Sequence, residues 1–356
     1  MKRIAWTLVL LSLAGCGSLP SPATAVPAGG VVPVLATDAQ ALRHAEKQLD
    51  ALSAAISFRL PGADTYGRAR NLANHLLKGG VAVAFNIRTR GEEVTLLPCY
   101  ADGEIMLRAY RNPSLRSKLT AAQSRALGVA EAAVRDVRAR YRSDYDRALA
   151  LHDFLVQRSE YADSHAVHDT ANATANLLNG GRGVCDSYTR AYRLMLTIAG
   201  IDNKFVAGTV NGVNHCWNLV RLEGKWVHVD CTYSDPRPDD RGRIYHTHFA
   251  LPDTLLARDH RWNRSLYPAA TSPELYYPMR HRSFGTVREL AEWGLRQPAA
   301  DNNYITAYVE ELRAGGGRNA AEHLIRKAHA ELGTQVFASY AVEKVLPGVI
   351  CVKLLR

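Results

Sequence analysis

The sequence predicts an α+β fold, in which a core that joins a helix to a β-hairpin is flanked by two small β-α-β-β units. Three observations carry this. Residues 185–199 follow a glycine-rich approach and place apolar side chains at spacings of three and four, as a buried helix does. Residues 215–222 and 225–232 read as strands about a Glu-Gly turn. Residues 39–115 and 285–356 each mix amphipathic helices with short strands in a similar order. With 356 residues, 47% hydrophobic and 22% charged, the chain has material for two or three globular domains.

The central stretch holds the chemistry. Gly180, Gly181 and Gly183 have low helix propensity. Tyr188, Ala191, Tyr192, Met195, Leu196 and Ala199 then form a stripe, and Gly200 closes the run. Cys185 therefore sits at or just inside a helix N-terminus, where free N–H groups and the helix dipole favour a thiolate. If Glu223 and Gly224 are the two loop residues, Leu222 faces Lys225, Trp217 faces Asp230 and His215 faces Thr232. His215 and Asp230 then share one face diagonally, so the carboxylate can orient the imidazole. Cys185, His215 and Asp230 form a nucleophile–base–orienter set. Taken singly, a helical Cys is most often a small core residue and a strand His is most often structural. Only the three together, in consistent geometry, point to acyl transfer. Trp217 and His228 fall on the same face and are candidates for the substrate cleft, with packing the simpler role for His228.

These residues resemble the core of the transglutaminase-like superfamily, a papain-like-fold group. The resembling pieces are residues 181–201, GRGVCDSYTRAYRLMLTIAGI, and residues 214–236, NHCWNLVRLEGKWVHVDCTYSDP. Residues 145–163 and 246–262 support them on either side. The resemblance implies a papain-like α+β core over residues 116–284, with Cys185 as nucleophile, His215 as base and Asp230 as acid. It also implies action on amide bonds of proteins or peptides. Hydrolysis (peptidase or amidase) is favoured over transglutaminase cross-linking, because nothing marks a lysine-acceptor site. The alternative is a non-catalytic binding or scaffolding lipoprotein that keeps the fold. Cys216 and Cys231 depart from the family pattern, which often has Ala and Pro there, without removing a member of the triad.

Residues 1–15 read as a lipoprotein signal peptide outside the fold. Met1-Lys2-Arg3 is basic, residues 4–13 are apolar but too short to span a membrane, and Leu13-Ala14-Gly15-Cys16 resembles a lipobox. Cys16 would be lipidated, and residues 16–38, rich in Pro, Ala and Gly, would tether the protein to the bacterial cell envelope. Gly17 after the cysteine is compatible with outer-membrane sorting. The net charge is +10, with Arg spread through helices such as 135–142. No basic stripe with interleaved aromatics appears, so no nucleic-acid partner is expected.

In the N-terminal unit, residues 39–115, strands are expected at 54–60, 93–98 and 104–110. A helix is expected at 68–77, and Asp102-Gly103 reads as a hairpin turn. The C-terminal unit, residues 285–356, has helices at 287–295 and 319–332 and strands at 304–310, 336–342 and 349–355. Residues 70–76 and 318–324 agree at five of seven positions, which suggests an internal repeat. In the core, helices are expected at 120–141 and after Ser143, an N-cap with Asp144 and Asp146 in the first turn.

No cofactor is expected, because phosphate-loop and dinucleotide fingerprints are absent from the sequence and no acidic loop suits calcium. His246, His248 and His260 raise the question of a metal, but no set of four ligands is completed in sequence, so none is expected. By the turn count, Cys216 and Cys231 face each other away from the triad. Their spacing and an oxidising compartment would allow a disulfide, but strain in a hydrogen-bonded pair makes two buried thiols the preferred expectation; pairing of Cys99 with Cys351 is left open.

Overall fold

The computed structural model describes residues 5–10, 32–78, 82–162, 173–237, 243–297, 304–313, 317–342 and 348–355. Cys16, most of the tether and residues 163–172 lie outside the described residues. The mixed α/β class predicted from the sequence is present. The chain divides into two compact units, residues 1–129 with 164–179, and residues 130–163 with 180–356.

The first unit contains β1 (Ala5–Leu10), α1 (Asp38–Asp50), β2 (Ile56–Arg59), α2 (Thr65–Lys78), β3 (Ala82–Arg90), β4 (Glu93–Tyr100) and α3 (Asp102–Arg111). Its sheet runs β1-β3-β4-β2, and its core gathers Ala41, Leu49, Phe58, Leu72, Phe85 and Leu96. Two expectations fail here. Residues 104–110 are helical, not a strand. Asp102 and Glu104 stand in the first turn of α3, where the helix dipole favours carboxylates. The Asp102 side chain accepts the amides of Thr174 and Ala175, at 3.2 and 2.8 Å, and so serves a second helix start, Ala173–Leu178. The hairpin lies earlier, at Gly91, which takes φ +62° between β3 and β4. The second difference is β1. The apolar leader, expected to lie outside the fold, supplies a strand antiparallel to β3. The outer edge of β3 offers unpaired backbone groups, and an extended apolar segment satisfies them.

The second unit begins within α4 (Ala121–Arg140), continues with α5 (Asp144–Arg158), and pairs β5 (Glu160–Tyr161) with β6 (Arg182–Gly183). Ser143 caps α5 by accepting the Asp146 amide at 3.0 Å. Between them and the C-terminal layer lie α7 (Cys185–Ile198), β7 (Asn203–Val210), β8 (Val213–Leu222), β9 (Lys225–Val229), β10 (Phe249–Leu251) and β11 (His260–Trp262), with Ala173–Leu178 counted as α6. The sheet runs β10-β9-β8-β7-β11, antiparallel throughout. Both central hairpins use two residues with positive φ, Asn211-Gly212 (50° and 81°) and Glu223-Gly224 (50° and 79°). Such turns match the twist of the strands they join. Leu222 faces Lys225 as counted from the sequence, and that register holds to Asn218 and Val229, where the ladder stops.

Helix α7 lies on the β8 face that carries Cys216 and Asn218. Asn218 donates to the Thr189 carbonyl at 3.1 Å, and Arg190 covers the Phe205 ring. The opposite face carries Trp217 and Leu219, which pack with Val206, Leu251, Leu256 and Tyr276. The C-terminal layer holds β12 (Ser283–Phe284), α10 (Val287–Leu295), β13 (Tyr304–Val309), α11 (Gly317–Leu332), β14 (Phe337–Val342) and β15 (Val349–Leu354). Its sheet order is β12-β13-β15-β14.

One glycine is required for space alone. A Cβ on Gly208 would lie 2.2 Å from the Arg261 carbonyl oxygen and 2.7 Å from the Trp217 ring. Gly208→Ala should therefore lower unfolding free energy by about 1–3 kcal/mol, read from chemical denaturation. Gly128→Ala, with nothing within 4 Å of the added carbon, should not lower it.

Candidate active site

The site forms where the start of α7 meets the β8 and β9 end of the sheet. Val184 takes extended backbone as the N-cap, and the Ser187 hydroxyl accepts its amide at 3.3 Å. Cys185 is the first helical residue, so its own N–H has no acceptor within the helix. Its side chain is only partly buried and can meet a substrate.

His215 Nε2 lies 2.6 Å from Asp230 Oδ2, which leaves Nδ1 as the ring nitrogen for Cys185. His215 also bonds the Cys185 sulfur. Asp230 does not continue the β9 ladder as expected. Its amide donates to the His248 carbonyl at 2.9 Å, and its Oδ1 accepts the amides of Thr232 and Tyr233 at 2.9 and 3.3 Å. This side-chain turn ends the strand and aims the other oxygen at His215.

The charges follow from these contacts. The Cys216 thiol bonded to Cys185 has the largest effect on it. With the His215 imidazole, and against burial, it draws the Cys185 thiol down to about 5. Burial opposes a charge on His215, but the Asp230 carboxylate and the Cys185 sulfur together raise the ring to about 10. Burial would also protonate Asp230, yet His215 and His260 hold it well below the ordinary carboxylate range. These opposing charges favour a thiolate–imidazolium pair at neutral pH.

Cys216, Thr189 and Tyr233 were not singled out for this site from sequence. Cys216 points away from His215, as strand alternation requires, but that is the face α7 covers, so its thiol reaches Cys185. The Thr189 hydroxyl lies 2.8 Å from the Cys185 carbonyl oxygen, 3.0 Å from that of Cys216 and 3.5 Å from Cys216 Sγ. Cys185, Cys216 and Cys231 all lie outside any disulfide. Tyr233 is 38% exposed, with its ring 5.5 Å from that of His215, and borders the opening. Of the two residues expected at the cleft, Trp217 is buried and stacks on His215 at 6.0 Å, so it backs the imidazole from inside. His228 is buried too. It accepts from Trp217 Nε1 at 3.0 Å and bonds Asp253 at 2.8 Å, a packing arrangement rather than a substrate contact.

Carboxylates do approach the histidines weighed as metal ligands. His246 reaches Asp153 at 2.7 Å together with His152 at 2.8 Å, while His260 lies between Asp230 and Asp259. These are N–H···O hydrogen-bond lengths. Ligand atoms around a tetrahedral zinc stand farther apart, at roughly 3.3 Å for bonds of about 2.0–2.1 Å. The groups are built as hydrogen-bonded pairs and bridges.

Residues 131–231 match the model described as the transglutaminase-like superfamily. This part of the chain is a transglutaminase-like domain. A 70-residue stretch is 37% identical to a Caenorhabditis briggsae peptide-N(4)-(N-acetyl-beta-glucosaminyl)asparagine amidase, covering 19% of this chain and 11% of that one. The chain thus spans about a tenth of the length of that relative. A solved structure described as a TGase is similar at 13% identity over 50% of each chain, TM-score 0.27. A Cytophaga hutchinsonii protein provisionally described as a cysteine protease is similar at 11% identity over 43% of this chain and 58% of that one, TM-score 0.27. The family placement rests on the sequence match, and the site within the domain has the geometry of cysteine-type acyl transfer.

Labelling of Cys185 by iodoacetamide, located by mass spectrometry, should rise through a midpoint near pH 5 and stay fast to neutral pH. Because His215 and Cys216 both lower the thiol, His215→Ala and Cys216→Ala should each move the midpoint upward. At pH 6.5 the His215→Ala protein should react at least about tenfold more slowly.

Proposed function

We propose that the transglutaminase-like domain hydrolyses amide bonds of proteins or peptides through a Cys185 thioester. The observation that carries this is the Cys185–His215–Asp230 arrangement, a partly exposed sulfur paired with an imidazole that a buried carboxylate holds at 2.6 Å. The thiolate attacks the amide carbonyl, and the carbonyl electrons move to oxygen. The Cys185 backbone N–H, at the start of α7, is a donor for that oxyanion. Collapse breaks the C–N bond, and His215 Nδ1–H protonates the departing amine. A thioester and a neutral imidazole remain. Water then adds to the thioester as His215 takes its proton, and the acid leaves with regeneration of the thiolate–imidazolium pair. An amine in place of water would give a cross-link. The relative from C. briggsae carries the name of an amidase, which supports water as the acceptor.

With a mixed peptide library, mass spectrometry should find products that have gained water, and adding a primary amine should not divert most of the flux. Cys185→Ala should abolish turnover. Asp230→Asn should lower it by about three to four orders of magnitude, because the neutral amide no longer fixes the imidazole tautomer or its charge. Amine incorporation exceeding hydrolysis would reassign the acceptor, and no thiol-dependent product from any library would favour a binding protein.

The chain is further proposed to be an exported lipoprotein anchored to the cell envelope through Cys16, on the strength of the Leu13-Ala14-Gly15-Cys16 sequence after an apolar run. Processing there would remove β1 and leave β3 as the sheet edge. Mass spectrometry of the envelope-derived protein should find lipid on an N-terminal Cys16, and Cys16→Ala should abolish it. An unmodified Cys16 in a soluble wild-type chain would overturn the assignment.

A further inference from the structure

Asp230 does not serve His215 alone. Its Oδ2 also lies 3.1 Å from Nε2 of His260, a fully buried residue on β11, and the other nitrogen of that ring lies 2.5 Å from Asp259 Oδ1. A neutral imidazole has one N–H, so it can donate to only one of two carboxylates. The imidazolium donates to both. We infer that His260 is a positioning residue, an imidazolium clamped between Asp230 and Asp259 that governs how much of the Asp230 charge reaches His215. The inference rests on the acyl-transfer reading of the site and deepens it.

The surroundings fit this role. Asp259 precedes His260 on the chain; Asp230 and Tyr233 face it from the loop after β9, His215 and Trp217 from β8, and His248 from just before β10. His228 on β9, already lowered by burial, feels the His260 charge in turn, which lowers it further. The Arg261 guanidinium is turned to the backbone, donating to the carbonyls of Ala257 and His260. Burial keeps His248 neutral, drawn down to about 4, and likewise lowers His228. For His260, burial disfavours the charge but the two carboxylates outweigh it and raise the ring. The net result is a line of alternating charge from the Cys185 thiolate through His215, Asp230 and His260 to Asp259. A second cation on Asp230 weakens its hold on the His215 proton. That matters after acylation, when His215 must be neutral to take a proton from water.

The test reads the ring nitrogens directly. In the reduced full-length chain with 15N-labelled histidine, His260 should carry protons on both nitrogens at pH 7. In the Cys185→Ala background, which removes the thiolate, His260→Gln should raise the His215 midpoint by about one pH unit, since it deletes a neighbouring cation. In the active chain the same substitution should move the acid limb of kcat up by a similar amount with KM little changed. A His260 ring with a single proton at pH 7, or a His215 midpoint that His260→Gln leaves in place, would overturn the inference. The wild-type spectrum decides the matter even if His260→Gln does not fold. Cys185 labelling that ignores His215→Ala would instead overturn the acyl-transfer reading, and the two failures are read from different experiments.

Discussion

A buried carboxylate has to be paid for in donors, and Asp230 shows where they come from. It is 1% exposed and receives four, the imidazoles of His215 and His260 and the amides of Thr232 and Tyr233. An ionised carboxylate left unpaired in such a place would be severely destabilising. Keeping it charged therefore requires β8, β11 and the loop after β9 to converge on one point. The demand that holds the sheet end together is also the demand that orients the His215 ring.

Gly208 allows that convergence. Strand β7 lies between β8 and β11, and a side chain at its residue 208 would occupy the space of the Trp217 ring and of the β11 backbone. Without it, Trp217 reaches across to lie 4.9 Å from His260 while also stacking on His215 at 6.0 Å. One aromatic ring thus backs both imidazoles that share Asp230. On the other face of β8, Thr189 ties the start of α7 to Cys216. Cys185 is thus fixed from one side of the strand and His215 from the other.

The helix of Cys185 and the hairpin of His215 were legible because their signals are local: a stripe of period 3.6, and a turn with Gly at a positive-φ position. The register was countable as far as Val229, and failed at Asp230 because a side-chain turn, not the ladder, places that residue. Asp102-Gly103 misled for a related reason. Asp favours both turns and first helical turns, and the deciding contact, to the Thr174 and Ala175 amides, is far away in sequence. Asn211-Gly212 is a clear hairpin signal, and it joins β8 to β7, a strand not among the expected elements. His260 and Cys216 had no local signal for their roles. One depends on which strand lies beyond β7, the other on which face of β8 the helix covers.

The proposed preference for water over an amine rests on charge in the acylated site. Once the thiolate is consumed, His215 loses the neighbour that helped raise it and becomes available as a base. Water needs only that base. An amine arrives at neutral pH as an ammonium ion and must lose a proton before it can attack, which calls for a carboxylate or an apolar channel at the opening. The carboxylate beside the nucleophile, Asp186, is engaged by Arg190 through both oxygens at 2.9 Å. Asp230 and Asp259 are turned inward to His215 and His260. Among the described residues, Asp186, Asp230 and Asp259 are thus committed to holding the site's own cations rather than an incoming ammonium, which supports the proposed hydrolysis.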